Sequence, residues 1–271
     1  MTTDNAYRQL DFRLSERTHH YGPNIHLLAD PYALTQLARL CAPETRQPDF
    51  NRLIAQLYTH LGIAAMNHAL PRARVSSQTR MAAYTDRATL DGERFDPAAE
   101  VVCVNVARAG TLPSQTLYDL FNTILDPDQV RQDHLLVSRV APEGGRVTGA
   151  EISASKVGGT IEGRHLVIPD PMGATGTSLS TVISHLEQHY GTPAQILLLH
   201  LIVTPQYLRF IADHHPTAQV FALRLDRGMS SPEVLATELG ERWSEENGLT
   251  PNDYIVPGGG GFGELMNNAF V

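Results

Sequence analysis

Five short apolar runs from residue 101 onward leave little choice of architecture. Residues Val101–Ala107, 134–140, 164–169, Gln195–Val203 and Gln219–Leu225 are dominated by Val, Ile, Leu and Ala, without a sustained polar alternation. A strand with one wet face alternates apolar and polar residues, so runs like these need cover on both faces. Helical patterns fall between them, over 113–125, Thr177–Tyr190 and Pro205–His214. In the second of these, Leu179, Val182, Ile183 and Leu186 form one apolar stripe. The alternation predicts an α/β fold with a mostly parallel sheet flanked by helices. Ligands of such sheets bind at the carboxyl ends of the strands, which is where a site is to be sought.

The first hundred residues read differently. The stretch to about Pro23 is polar and is expected to form an arm or irregular cap. Apolar residues recur at helical spacing over 32–40 and again over 50–69, where Leu53, Ile54, Leu57, Leu61 and Ala64 share a side. Asp49 is placed to cap the second helix and Pro71 to stop it. Residues 75–97 are mixed and polar, a connection with room for short strands. With no internal repeat or clear linker, residues 1–271 are read as a single domain. It comprises an N-terminal helical elaboration (1–100), a core (101–225) and a C-terminal hood (226–271).

Composition narrows the partners. A formal charge of −8 argues against nucleic acid, which asks for a basic face, while leaving room for a local anion pocket. The two cysteines, Cys41 and Cys103, cannot build a disulfide framework, and Cys103 sits inside an apolar strand where a small soft side chain fits a core. The N-terminus lacks a basic and then apolar leader, and no run approaches a membrane-spanning length. No membrane partner and a reducing, cytoplasmic setting are the expectation.

The segment with the clearest chemistry is 165–178. His165-Leu166-Val167-Ile168-Pro169 is a strand that ends in the carboxylate of Asp170, and Gly173-Ala174-Thr175-Gly176-Thr177-Ser178 leads straight into a helix. Glycines let a backbone approach an anion closely, and the N–H groups of a helix start point at it. Thr175, Thr177 and Ser178 add hydroxyls, and the helix dipole favours negative charge. Asp170 cannot hold phosphate by charge, but its carboxylate can accept hydrogen bonds from ribose hydroxyls, so the loop suits a sugar phosphate. The Gly-x-x-x-x-Gly-Lys-Ser/Thr and Gly-x-Gly-x-x-Gly signatures are both absent from this turn.

These residues resemble a known family. The stretch from Ile168 to Ser178 looks like the phosphoribosyl diphosphate loop of uracil phosphoribosyltransferases, which typically reads Val-Asp-Pro-Met-Leu-Ala-Thr-Gly-Gly. Arg108-Ala109-Gly110 follows a strand as in the family's Leu-Arg-Ala-Gly segment, and Arg139 ends a strand at the next basic position. Asp253-Tyr254-Ile255-Val256-Pro257-Gly258 is similar to the family's Gly-Tyr-Ile-Ile-Pro-Gly. The four segments keep their order from Val101 to the end of the chain.

The resemblance implies a type I phosphoribosyltransferase fold and a reaction in which a ring nitrogen displaces pyrophosphate from phosphoribosyl diphosphate. By it, the ribose 5-phosphate lies against Ala174, Thr175, Gly176, Thr177 and Ser178, with Asp170 at the ribose hydroxyls. Arg108, Ala109 and Arg139 handle the pyrophosphate, for which guanidinium is suited by bidentate contact. Tyr254, Ile255, Val256, Pro257 and Gly258 read the base, largely through main-chain groups. It further implies magnesium accompanying the diphosphate through oxygen ligands, with no dedicated protein metal site, and a homodimer or higher homo-oligomer.

The chain departs from the family at Gly261 and Glu264, where an ungapped alignment puts two aspartates, and at Gly173, which replaces a leucine and is expected to loosen the loop. The segment 227–252 is longer than the usual hood and is expected to add a helix or two over 232–246. These departures keep two other readings open. One is a regulatory relative that binds a phosphoribosyl ligand without turnover; the other is a specialised transferase with a nonstandard acceptor. Other features point to no site. His185 and His189 lie four apart without the glutamate of a His-Glu-x-x-His motif, and His19-His20 and His214-His215 are read as surface residues. Glu264 is read as an exposed side chain before a general base.

Overall fold

The computed structural model describes residues 5–140 and 149–270. A short strand β1 (Ile25–Leu27) precedes helices α1 (Pro31–Leu40) and α2 (Asp49–Ala69), then a hairpin of β2 (Arg72–Gln78) and β3 (Thr89–Phe95). The core follows as β4 (Val101–Ala107), α3 (Thr111–Asn122), β5 (Val130–Val140), β6 (Gly149–Lys156), β7 (His165–Pro169) and β8 (Met172–Gly173). It continues through α4 (Thr177–Tyr190), β9 (Gln195–Val203), α5 (Pro205–His214) and β10 (Gln219–Leu225), and the hood carries α6 (Pro232–Leu235) and α7 (Phe262–Asn267).

The central sheet runs β1-β10-β9-β7-β4-β5-β6, with β8 extending the pairing on β9. All pairings are parallel except β5 with β6 at the edge. Successive strand residues divide between two cores. Val101, Cys103, Val167, Leu197, Leu199 and Phe221 pack against the layer of α1, α2 and α3. Their neighbours Val102, Val104, Leu166, Ile168, Leu198 and Val220 pack against α4 and α5. That division is the physical reason for the near-continuous apolar runs of β4, β7 and β9, whose residues are buried toward one helical layer or the other, whereas Leu136 in β5 near the sheet edge is half exposed. Burial pushes the Cys103 thiol upward, as suits a core residue. No helix among the described residues is long and apolar enough to cross a membrane.

Several local expectations change. Asp49 is the first residue of α2 and makes an ion pair with Arg52 at 3.2 Å, while the cap position is Pro48, which has no side chain to offer an amide. The 75–97 connection is a complete antiparallel hairpin paired from Arg72↔Phe95 to Gln78↔Thr89. Apart from Gly92 none of its residues is fully buried, so no buried apolar stripe marked it in the sequence. The strand expected over 134–140 begins four residues earlier, at Val130, and the helix expected over 113–125 spans Thr111–Asn122. Of the helix expected over 232–246, only Pro232–Leu235 is helical; the rest is a series of turns. It is tied down by the buried carboxylate of Glu246 rather than by helical packing.

Candidate active site

The sheet ends three chain segments side by side. β4 and β7 are parallel neighbours, so the turn after β4 and the loop after β7 emerge on the same edge. At the first of these the Ala107–Arg108 peptide is cis. Gly110 sits so close to its surroundings that a Cβ there would stand 2.8 Å from the Val106 carbonyl oxygen and 3.0 Å from that of Pro169. The Arg108-Ala109-Gly110 turn is therefore pressed against the end of β7. Arg108 is exposed, and its Nη1 donates to the Ala269 carbonyl at 3.1 Å. Arg139 lies in β5 opposite Ala150; its side chain is outside the described residues.

The loop after β7 is fastened at nearly every residue. Asp170 N–H closes the ladder to the Leu199 carbonyl at 3.1 Å, and Met172 N–H donates to Asp170 Oδ1 at 3.1 Å. The Thr204 amide and hydroxyl, at the start of α5, reach the Gly173 and Ala174 carbonyls at 3.0 and 2.6 Å. Gly173 does not loosen the loop, as expected from its missing side chain. It is buried, and a Cβ there would meet the Tyr207 ring and Val203 Cγ1 at 3.0 Å. An aromatic floor has taken the space that a leucine would need.

Beyond Gly173 the chain turns into α4 through Gly176, whose φ of 89° is left-handed and whose Cβ would collide with Phe210 Cδ1 at 2.8 Å. The first helical bond runs from Ser180 N–H to the Gly176 carbonyl. The amides of Thr177, Ser178 and Leu179 therefore precede any intrahelical partner and mark an anion cradle. Thr175 and Thr177 hydroxyls lie 3.4 Å apart on its rim. The Ala174 amide, by contrast, is turned to the Met172 carbonyl at 3.1 Å.

The hood completes the third wall. Val256 N–H donates to the Gly248 carbonyl and Val256 C=O accepts from Gly228, both at 2.9 Å, and the Val256–Pro257 peptide is cis. The segment Tyr254-Ile255-Val256-Pro257-Gly258 is thus held by main-chain bonds, and the Tyr254 side chain is exposed. Sequence reasoning missed the residue that fixes its end. Asp226, fully buried at the tip of β10, accepts the Gly258 amide on Oδ2 at 2.8 Å and pairs with Arg224 through Oδ1. A carboxylate closing an otherwise apolar strand was the available signal, the same one that singled out Asp170. Next, α7 brings Gly263 against the Ala109 backbone, where a Cβ would lie 3.6 Å from the Ala109 nitrogen. Glu264 folds back over Gly261, its Oε2 only 1.7 Å from where a Gly261 Cβ would be.

A cavity of about 590 Å³ opens beside Thr175, lined by Gln206, Phe210, Met229, Asn247 and Leu249 among others. Gln206 and Asn247 join side-chain amides across it. Among the described residues, no three His, Cys, Asp or Glu side chains come together as a metal cluster. The His185 and His189 rings lie tilted against each other with centres 4.4 Å apart, and the Nδ1 of His189 is spent on the His185 carbonyl at 2.8 Å. His215, expected at the surface, is buried and bonded to the Ser180 hydroxyl at 2.8 Å.

Beneath the Asp170 loop lies His200, fully buried in β9. Burial lowers its pKa to about 4, against a weaker raising effect from its bond to the Asp170 carbonyl. The unfolded ring binds its proton near pH 6.5, so the folded state holds fewer protons between the two values. Stability supplied by the neutral ring is complete above pH 6.5 and declines as pH falls toward 4, by about 2 kcal/mol at pH 5. Urea melts at pH 7 and pH 5 are expected to show this loss, and His200→Asn should show a shallower slope.

Comparison with known proteins places these features in context. The family model of uracil phosphoribosyltransferase matches residues 27–242. A uracil phosphoribosyltransferase of Thermococcus sibiricus is 23% identical over 213 residues, covering 78% of this chain and 84% of that protein. One from Rhodospirillum centenum is 24% identical over 250 residues, covering 92% and 98%. Among solved structures, the AQ2163 protein of Aquifex aeolicus superimposes with a TM-score of 0.69 at 19% identity, over 91% of this chain and 99% of its own. That likeness concerns the fold.

Proposed function

The chain belongs to the uracil phosphoribosyltransferase family, and from that premise we propose that it transfers a 5-phosphoribosyl group from phosphoribosyl diphosphate to uracil or a related nitrogen heterocycle, releasing pyrophosphate. The observation that carries the reading is the Asp170–Ser178 loop. It is a carboxylate at a strand end followed by an anion cradle, walled by the Arg108 turn and the 254–258 hood. In this reading the amides and hydroxyls of Thr175–Ser178 hold the 5-phosphate, and the Asp170 carboxylate accepts hydrogen bonds from the ribose hydroxyls.

The acceptor nitrogen gives up its proton to solvent and forms its bond to the anomeric carbon as the bond from that carbon to pyrophosphate breaks, and positive charge builds on the ribose. Asp170 stabilises that charge; Arg108 and Arg139 stabilise the charge on the leaving group. Arg108 would exchange the neutral Ala269 carbonyl for diphosphate oxygens, a stronger charge-assisted contact. Because the Gly258 amide is committed to Asp226, the Gly258 contribution to a base would come from its carbonyl. Magnesium would take most of its ligands from the diphosphate oxygens. Bound there, it would neutralise the diphosphate charge.

The hood cavity favours a second reading of the acceptor, a heterocycle larger than uracil. Pyrophosphate release from phosphoribosyl diphosphate and magnesium, measured across a panel of bases, tests both. Release with uracil supports the first reading. Release with bulkier bases alone supports the second. Tight phosphoribosyl diphosphate binding with no release from any base would overturn both.

A further inference from the structure

The parallel pairs between β7 and β9 lie thirty residues apart up to Pro169↔Leu199, and that register continued sets Asp170 opposite His200. In a regular ladder the Asp170 carbonyl would accept from the amide of residue 201. Here the Leu201 and Ile202 amides both turn to the Pro171 carbonyl, at 3.1 Å each. The break at Asp170-Pro171, between β7 and β8, has taken the backbone donor away while the register on β9 stays the same. The His200 ring supplies a replacement, its Nδ1 lying 2.5 Å from the Asp170 carbonyl oxygen. On its other side, Nε2 lies 2.6 Å from the Tyr207 hydroxyl.

A carbonyl only accepts, so Nδ1 must carry the proton. A neutral ring then has a lone pair at Nε2, and the tyrosine hydroxyl donates to it. Burial keeps both groups in these states, lowering the basicity of His200 and holding the Tyr207 phenol well above its usual range. The direction of the chain is fixed: Tyr207 to His200 to Asp170.

Resting on the reading proposed above, we infer that Tyr207 and His200 are positioning residues that set the orientation of the Asp170 carboxylate from beneath. The same tyrosine ring is the floor under Gly173, and its amide donates to the Thr204 hydroxyl that in turn holds Ala174. The start of α5 and its cap therefore bear on the loop at three points: Asp170 through His200, Gly173 and Ala174. The carboxylate itself is steered one bond further on, where Met172 N–H meets Asp170 Oδ1.

The test uses Tyr207→Phe, which keeps the ring under Gly173 and removes only the donor. Tyr58→Phe is the control, since its buried hydroxyl meets the Leu199 carbonyl at 3.2 Å, an oxygen that keeps its bond from Asp170 N–H. Nitrogen-15 shifts of labelled histidine in the wild type are expected to show His200 protonated at Nδ1 and not titrating above pH 5. Tyr207→Phe is expected to lower kcat about tenfold, with KM for phosphoribosyl diphosphate within about twofold, as for loss of one buried hydrogen bond felt in the transition state. Exchange of the Met172 amide proton should quicken about tenfold. Tyr58→Phe should leave kcat within about twofold. An Nε2-protonated ring, or Tyr207→Phe with wild-type kcat and Met172 exchange, would overturn the inference. If the wild type turns over no acceptor, the proposed reaction fails instead. The tautomer and the exchange rate then still decide whether the chain holds the loop.

Discussion

Asp170→Asn is expected to lower kcat between about a hundred- and a thousandfold while the fold and its melting temperature stay close to wild type. Asparagine keeps the size of the side chain and an oxygen for the Met172 amide, so the loop can close as before. What disappears is the negative charge beside a ribose that turns positive as pyrophosphate leaves. A preorganised charge of this kind acts in the transition state and costs little before it, and its removal typically weakens turnover by this amount. Steady-state kinetics with a fixed acceptor give the answer. A loss confined to KM would assign Asp170 to binding alone, and unchanged kinetics would remove it from the reaction.

Glu246→Ala is expected to cost about 3 kcal/mol of stability, a drop of roughly 10 °C in Tm. The Glu246 carboxylate is fully buried and takes three donors: the Tyr21 hydroxyl at 2.5 Å, Arg227 Nη1 at 2.5 Å and the Gly240 amide at 2.9 Å. Arg227 is nearly as enclosed, so removing its partner leaves a charged guanidinium with main-chain carbonyls as its remaining company. The same carboxylate ties the polar N-terminal arm, through Tyr21, to the enlarged hood. Burial, with help from Glu246, pushes the Tyr21 phenol well above its usual range, which keeps it a donor. Thermal melts of the variant measure the effect. A shift below about 2 °C would mean that the hood is held by its apolar contacts alone.

What the sequence disclosed follows from what repeats along it. Strands such as Val101–Ala107 and Gln195–Val203 announce burial on both faces, and the Asp170 loop carries its glycines and hydroxyls in contiguous order. The hairpin Arg72–Gln78 and Thr89–Phe95 was hidden because apart from Gly92 none of its residues is fully buried, which leaves no apolar period to detect. Asp226 carried the same strand-end signal as Asp170, but its partner, the Gly258 amide, lies 32 residues on in the hood. His200 and Tyr207 were hidden for another reason. They act on Asp170, 30 residues from His200, through a register that exists only once the sheet has formed. Gly173 was misjudged because a missing side chain reads as slack until the tyrosine that fills the space is seen.

The back-folded Glu264 makes positions 261 and 264 interdependent. Its carboxylate occupies the volume that a Cβ at 261 would need, so an aspartate at 261 and this placement of Glu264 exclude each other. The glutamate side chain is flexible, so a side chain restored at 261 would send that carboxylate to another rotamer and leave the main chain where it is. Glycine at 261 is therefore what decides where the negative charge of residue 264 rests.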